Sequence, residues 1–399
     1  MKNRILILTA GFGEGHNAAA RNLEAAFNAQ CGPGTATSAD LFALASPRLN
    51  AISRRIYLFF INRAPHVWSW FYRWIDHANV FPAGLWLLRR EMDVLVTLVS
   101  RERPDAFCST YPIYGFMVER LAQDGRIPSI PHFNIVTDSI SINSLWWQPK
   151  CDAWFVPNED SADVMRKVGV PGNLIHACGF PTPAFIRENS ALTPPALTSS
   201  GREAPRVLYI INSGTRGAEH TAGLLLQESA WDVTCAVGRD VGLRARLEAM
   251  AAKRSRPARI LGWTDQIPRL LLTHHVVISK AGGATTQEAI AACCPMIVNQ
   301  VVPGQEEGNY ELLRRHGIGA LAETPADVLE ACRRAFADGG RVYLDWRGSL
   351  EQLARPAAAE AIVNRVVTAL QTKSSPHSPV ADETVGSGLT VVAYESPSP

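Results

Sequence analysis

No stretch of the 399 residues stays apolar for the roughly 20 positions that a bilayer-spanning helix needs. The run at 56–61 is far shorter, and Arg89, Arg90 and Glu91 interrupt the next one, so no transmembrane helix is expected. The eight cysteines include no Cys-x-x-Cys pair, and the adjacent Cys293 and Cys294 are badly placed to bridge each other. They read as small buried hydrophobes in a reducing compartment. No Asp-x-Asp occurs, and no His, Asp and Glu cluster has metal-ligand spacing, so neither a metal nor another cofactor is expected. The formal charge is only +2, without a concentrated basic stripe, which argues against a nucleic-acid partner. The N-terminal run Ile5, Leu6, Ile7, Leu8 is too short for a signal peptide and leads into a glycine-rich loop, so a cytoplasmic location is expected.

With 47% hydrophobic and 19% charged residues the chain can bury substantial cores, and its length suggests two domains. Short apolar runs at 4–9, 35–41, 106–110, 132–137, 153–156 and 174–178 alternate with helical stretches, the pattern of a parallel α/β sheet. Residues 189–205, rich in Pro, Ser and Thr, lack periodicity and read as a linker. The pattern then restarts at 207–212, 231–238, 259–263, 275–280 and 295–300. The expected architecture is α/β, with two doubly wound domains at 1–188 and 206–370, followed by a disordered tail at 371–399.

Residues 42–103 interrupt the first domain with an aromatic, basic insertion holding four of the ten tryptophans, Trp68, Trp70, Trp74 and Trp86, together with Arg54, Arg55, Arg63 and Arg73. One reading is a helical subdomain packed on the sheet. The other is a surface that enters a lipid headgroup layer, which suits Trp, Tyr and Arg. The two are compatible if they concern different faces.

Three loops at strand ends carry candidate chemistry. Gly11, Gly13 and Gly15 lead into His16 ahead of a small-residue helix, a device that aims backbone N–H groups at anionic oxygens. A dinucleotide fingerprint would want glycine at His16, so His16 is better read as a proton acceptor, although Asp40 after the second strand keeps an oxidoreductase alternative open. Gly282 and Gly283, followed by Ala284 and Thr285, repeat the device in the second domain, with Glu288 one turn on in reach of ribose hydroxyls. Gln305, Glu306 and Asn309 follow the next strand and offer the mixed donors and acceptors that sugar hydroxyls require. Against each stands the plain alternative of a tight turn or a solvated charge.

At these residues, and at Val136-Thr137-Asp138, the sequence resembles family 28 glycosyltransferases, particularly monogalactosyldiacylglycerol synthases and processive diacylglycerol glucosyltransferases. The resemblance covers about residues 4–365. It implies a GT-B fold, a UDP-sugar donor in the second domain, a lipid acceptor in the first, inversion at the anomeric carbon, and His16 as the base. It further implies that Ser213, Gly214, Gly238 and Ile267 line the uracil and phosphate side of the donor cleft, with Gly282, Gly283, Ala284 and Thr285 on the diphosphate. Glu288 would take ribose, and Gln305, Glu306 and Asn309 the hexose or its neighbours. Asp138 and Trp146 join Gly11, Gly13 and Gly15 as candidate acceptor or phosphate contacts. Asn143 stands where plant-type members carry His, a departure that bears on the acceptor more than on the reaction. The expected partners are a UDP-sugar, a lipid acceptor and the anionic inner face of the cell membrane. Alternatives are N-acetylglucosamine transfer to a polyprenyl-linked acceptor, a UDP-sugar epimerase and an NAD-dependent oxidoreductase.

Overall fold

A computed structural model describes residues 3–48, 52, 84–197, 203–212, 217–304 and 306–374. In the first half β1 (Ile5–Thr9), α1 (Glu14–Cys31), β2 (Ala36–Asp40) and α2 (Leu41–Ala45) lead to the insertion. After it come α3 (Arg89–Glu102), β3 (Ala106–Ser109), α4 (Ile113–Gln123), β4 (His132–Ile135), β5 (Ala153–Phe155), α5 (Glu159–Lys167), β6 (Ile175–His176) and α6 (Ala184–Glu188). The six strands form a parallel sheet in the order β2-β1-β3-β4-β5-β6. The near-continuous apolar runs follow from burial on both faces: Ile5 and Ile7 join one core cluster, Leu6 and Leu8 the other.

The second half begins with β7 (Arg206–Ile210), α7 (Ala218–Gln227), β8 (Asp232–Ala236), α8 (Val241–Ala251), β9 (Arg259–Leu261) and α9 (Ile267–Thr273). It continues with β10 (Val276–Lys280), α10 (Gly283–Ala291), β11 (Met296–Gln300), α11 (Glu307–His316), β12 (Gly319–Leu321), α12 (Pro325–Phe336) and α13 (Arg341–Leu353). The sheet order is β12-β11-β10-β7-β8-β9, again all parallel. The order reverses between β1 and β3 in the first sheet and between β7 and β10 in the second. These are the switch points where open α/β sheets leave a crevice at the carboxyl ends of the strands.

The last helix, α14 (Ala358–Ser374), departs from the sequence expectation. Its positions lie in the segment assigned to the second domain and its end passes the expected tail boundary at 371. Yet Ala359, Ile362, Val363, Val366 and Leu370 pack with Ile5, Ile7, Phe133 and Phe155 of the first sheet and Phe27 of α1. The chain therefore crosses back, beside Gly179, where a side chain would meet the Cβ atoms of Arg355 and Ala358 at 2.7 Å. Strand β12 is a further element that periodicity did not reveal; it is three residues long and begins at Gly319, whose φ of +144° and close approach to Met296 O admit no side chain.

Candidate active site

The helix carrying His16 starts earlier than expected, at Glu14, so the imidazole projects from its first turn rather than from the loop before it. Gly13, at φ 127° and ψ 145°, makes the entry bend that only glycine tolerates. The His16 ring is half-buried. Its Nδ1 lies 2.8 Å from the Thr110 carbonyl oxygen and 2.8 Å from Thr137 Oγ1. A carbonyl oxygen only accepts, so Nδ1 carries the proton and Nε2 keeps its lone pair, with no hydrogen-bond partner among the described residues. Tyr111 meets the ring edge to face at 5.0 Å and Trp146 lies at 6.3 Å. Burial drives the His16 pKa down to about 4 against the opposing Thr110 bond, which leaves the imidazole neutral at physiological pH.

The rest of the first loop is engaged internally. Asp40 Oδ2 accepts from Gly11 N at 2.9 Å and Oδ1 accepts from Ala43 N at 3.0 Å, capping α2. Gly11 therefore does not aim its N–H at a ligand, and Asp40 is not placed as a free ribose acceptor, which removes the basis of the dinucleotide reading. Trp146 is fully buried; its indole N–H donates to Asp138 Oδ2 at 2.7 Å. It supports the site from behind rather than lining an acceptor path. Burial raises the Asp138 pKa to about 6, opposed by the Trp146 bond. Asn143, the departure noted above, is buried and accepts from Leu145 N at 3.0 Å, a local cap.

In the second domain β10 ends at Lys280, Gly282 supplies the residue before α10, and Gly283 opens the helix with no side-chain cap and no acid in its first turn. Ala284 and Thr285 are half-buried there. The two domains face each other at this place. A Cβ on Gly15 would lie 3.8 Å from Ala284 N, and one on Gly283 would lie 3.7 Å from Thr137 O and 3.9 Å from Asn309 Nδ2. The first turns of α1 and α10 thus converge, with His16 between them and Thr137. Glu288, half-buried, has its pKa raised to about 7 by burial, with Arg21 of α1 opposing and Glu14 adding to the rise.

The expected hexose ligands fare differently. Glu306 is buried, paired with Lys280 Nζ through Oε1, and accepts from Val302 N at 3.1 Å through Oε2, so both its oxygens are engaged by the protein. Asn309 donates to Ala281 O at 3.0 Å, while its Oδ1 is buried without a partner. Gly238, at φ 64°, and Ile267, which opens α9, follow β8 and β9 at the same carboxyl edge of the sheet. Ser213, Gly214 and Gln305 lie outside the described residues, as do Arg54, Arg55, Arg63, Arg73, Trp68, Trp70 and Trp74. Of the insertion, residues 42–48, 52 and 84–103 are described, with Trp86 68% and Leu87 66% exposed beside exposed Arg89 and Arg90.

Sequence reasoning passed over Thr110, Tyr111 and Gly308. A Cβ on Gly308 would fall 1.9 Å from Ser139 O, because the first domain's 139–141 segment lies against the start of α11. Gln287 Nε2 reinforces this contact, donating to Ser139 Oγ at 2.9 Å. Nothing local in the sequence pairs these residues; they meet only when the two sheets are set face to face.

The monogalactosyldiacylglycerol (MGDG) synthase family matches residues 16–182. Over the longer span, the chain is 25% identical to the processive diacylglycerol beta-glucosyltransferase of Bacillus cytotoxicus across 371 residues, 91% of this chain and 93% of that protein. The protein of the same description from Bacillus cereus is 26% identical across 370 residues, with the same shares covered. The chain is thus similar to the MGDG synthase family over 16–182 and to diacylglycerol glucosyltransferases over most of its length. Solved structures agree on its GT-B fold. Phytolacca americana UGT2, complexed with UDP-2fluoro-glucose and pterostilbene, has a TM-score of 0.59 at 10% identity, covering 92% of this chain and 100% of that one. The Streptomyces nogalater glycosyltransferase SnogD has a TM-score of 0.53 at 17% identity, covering 92% and 100%. Staphylococcus aureus MnaA with UDP has a TM-score of 0.57 at 13% identity, covering 93% and 97%. At such identities the likeness concerns the fold.

Proposed function

We propose that this protein moves a hexose from a UDP-sugar to a diacylglycerol-type membrane lipid with inversion at the anomeric carbon. The observation that carries the reading is the His16 imidazole, held neutral with its Nε2 lone pair free, beside an uncapped helix N-terminus from the facing domain. The names of the curated relatives, processive diacylglycerol beta-glucosyltransferases, support the acceptor class, and the UDP in two of the structural neighbours supports the donor class.

In this reading the acceptor hydroxyl donates to His16 Nε2 as its oxygen attacks C1 of the sugar, and the departing UDP oxygens meet the N–H groups at the start of α10. The Thr110 carbonyl holds the Nδ1 proton, so the ring faces the acceptor in one tautomer and the nascent imidazolium is stabilised by the same bond. In the same reading Glu288 accepts from ribose, and Asn309 Oδ1, buried and unpaired, accepts from a donor-sugar hydroxyl. No metal or other cofactor enters this scheme. Exposed Trp86 and Leu87 beside Arg89 and Arg90 suit an anionic lipid surface on the cytoplasmic side.

The test is thin-layer analysis of lipids formed from labelled UDP-sugars and vesicles containing diacylglycerol. Parent protein should form a glycosyldiacylglycerol, and His16→Ala should lower turnover by about 10²–10⁴-fold with UDP affinity little changed. Product on a polyprenyl acceptor alone, or near-normal turnover by His16→Ala, contradicts the reading.

A further inference from the structure

We propose that Lys280 is the diphosphate-binding cation of the donor site, a role that rests on the UDP-sugar reading above. The residue closes β10 immediately before the glycine pair, and the pairing of β10 with β11 shifts register between Ser279 and Lys280. Such irregularities at a strand end re-aim a side chain. Here the chain end reaches the helix entry: a Cβ on Gly282 would lie 3.5 Å from Lys280 Cε and 3.7 Å from Nζ.

The first turn of a helix carries partial positive charge and favours anions. The turn of α10 holds no acid of its own, and a lysine and a carboxylate share its entry: Glu306 Oε1 lies 3.6 Å from the same Cβ position. Glu306 forms an ion pair with Lys280, but the two partners are not equally enclosed. The Glu306 side chain is 6% exposed and is held by Val302 N as well, whereas Lys280 retains 31% exposure. The ammonium, with donors to spare beyond one carboxylate oxygen, is the member of the pair that a ligand can reach.

An independent feature points to a ligand at the same place. Asn309 is 4% exposed and leaves Oδ1 unpaired, while its Nδ2 lies 3.9 Å from the position of a Cβ on Gly283. A nucleoside diphosphate set against Gly282 and Gly283 would place its oxygens between the α10 N–H groups and Lys280 Nζ. The cation then supplies the positive charge that a divalent ion would otherwise bring, and Glu306 holds it in position when the donor is absent.

The experiment measures UDP and uridine binding by calorimetry in buffer with chelator, for the parent and for Lys280→Met, Glu306→Gln and the double variant. Lys280→Met should weaken UDP at least about tenfold and leave uridine unchanged, since only UDP carries the diphosphate. Because that variant strands a buried carboxylate, the double variant is the decisive comparison: it should bind UDP at least about tenfold more weakly than Glu306→Gln alone, with equal uridine affinity. Equal UDP affinity in those two variants, or matched losses of UDP and uridine, overturns the assignment and leaves the pair as a brace. Failure of the parent to bind UDP at all overturns the donor reading itself, and the Lys280 role with it.

Discussion

Helices α1 and α10 both follow a glycine-bearing turn at the end of a central strand, and the two turns look interchangeable in sequence. In the structure they are opposites. At the first, Asp40 takes the Gly11 N–H and Glu14 sits in the opening turn of the helix. At the second, the helix has no side-chain cap and no acid in its first turn, and the Lys280–Glu306 pair stands at its entry. A glycine loop before a helix can serve an anion only where its donors are left to a ligand. In the function proposed above, the first turn presents a base and the second an anion cradle.

Exchanging the damage at the two turns tests this contrast most strongly. Gly283→Val puts a branched side chain where phosphate must approach backbone, and calorimetry should show UDP affinity down by about hundredfold or more with the fold retained. Gly13→Ala should do the reverse: strain at φ 127° should cost about 1–3 kcal/mol in denaturant unfolding while UDP affinity holds. Weakened UDP binding by a folded Gly13→Ala protein, or unchanged binding by Gly283→Val, erases the distinction.

The domains share a second property, a pair of enclosed neutral histidines each. Burial holds His16 and His132 in the first domain and His274 and His275 in the second at a pKa of about 4. The unfolded chain protonates them near 6.5, so it binds more protons than the native state between these values, and stability falls as pH drops from about 6.5 towards 4. The fully enclosed His132, His274 and His275 contribute up to about 3 kcal/mol each to that loss. Thermal unfolding from pH 7 to pH 4.5 should show a steep decline, shallower in His132→Gln; a flat profile would mean that these rings titrate unhindered.

The same rings and carboxyls separate base from donor contact in activity. With His16 neutral down to about pH 4 and the Glu288 pKa near 7, lowering pH from 8 to 6 should protonate Glu288 and raise the donor KM, approaching tenfold per pH unit, before kcat suffers from His16. Glu288→Gln should flatten the KM profile. A kcat limb at pH 7 that survives in Glu288→Gln would reassign the titrating group.

The smallest expected effect concerns the surfaces. Arg89→Gln with Arg90→Gln should remove about 1 kcal/mol per arginine of attraction to anionic vesicles, a loss visible in sedimentation at low salt and vanishing at high salt. The exposed Arg244 and Arg246 of the second domain, already paired with Glu248 and Glu219, serve as the control that should change nothing. Equal losses from both pairs would show attraction to the whole protein rather than to one face.

Much of this was legible because apolar runs bounded by glycine, as at Ile5 to Thr9 and Val276 to Lys280, admit little besides buried parallel strands. The converging loops were readable for the same reason, since both sit at strand ends. What the sequence withheld were relations across distance. The amphipathic spacing of Ile362, Val363, Val366 and Leu370 marks a helix but does not say which sheet it covers. Glu306 looks like a sugar ligand until Lys280 and Val302 N are seen to engage both its oxygens, while Ala281 O takes only the Nδ2 of Asn309. His16 read as a base from its loop, but the carbonyl that fixes its tautomer belongs to Thr110, 94 positions away.

The return of α14 to the first sheet gives the molecule two covalent bridges, one after β6 and one after α13. A single tether would let the halves swivel in any direction, whereas two separated tethers define an axis, like the paired hinges of a door. Rotation about that line is the relative motion that both bridges permit. It follows that cutting the 189–205 segment leaves both halves joined, and that the first half does not exist as a contiguous stretch of sequence.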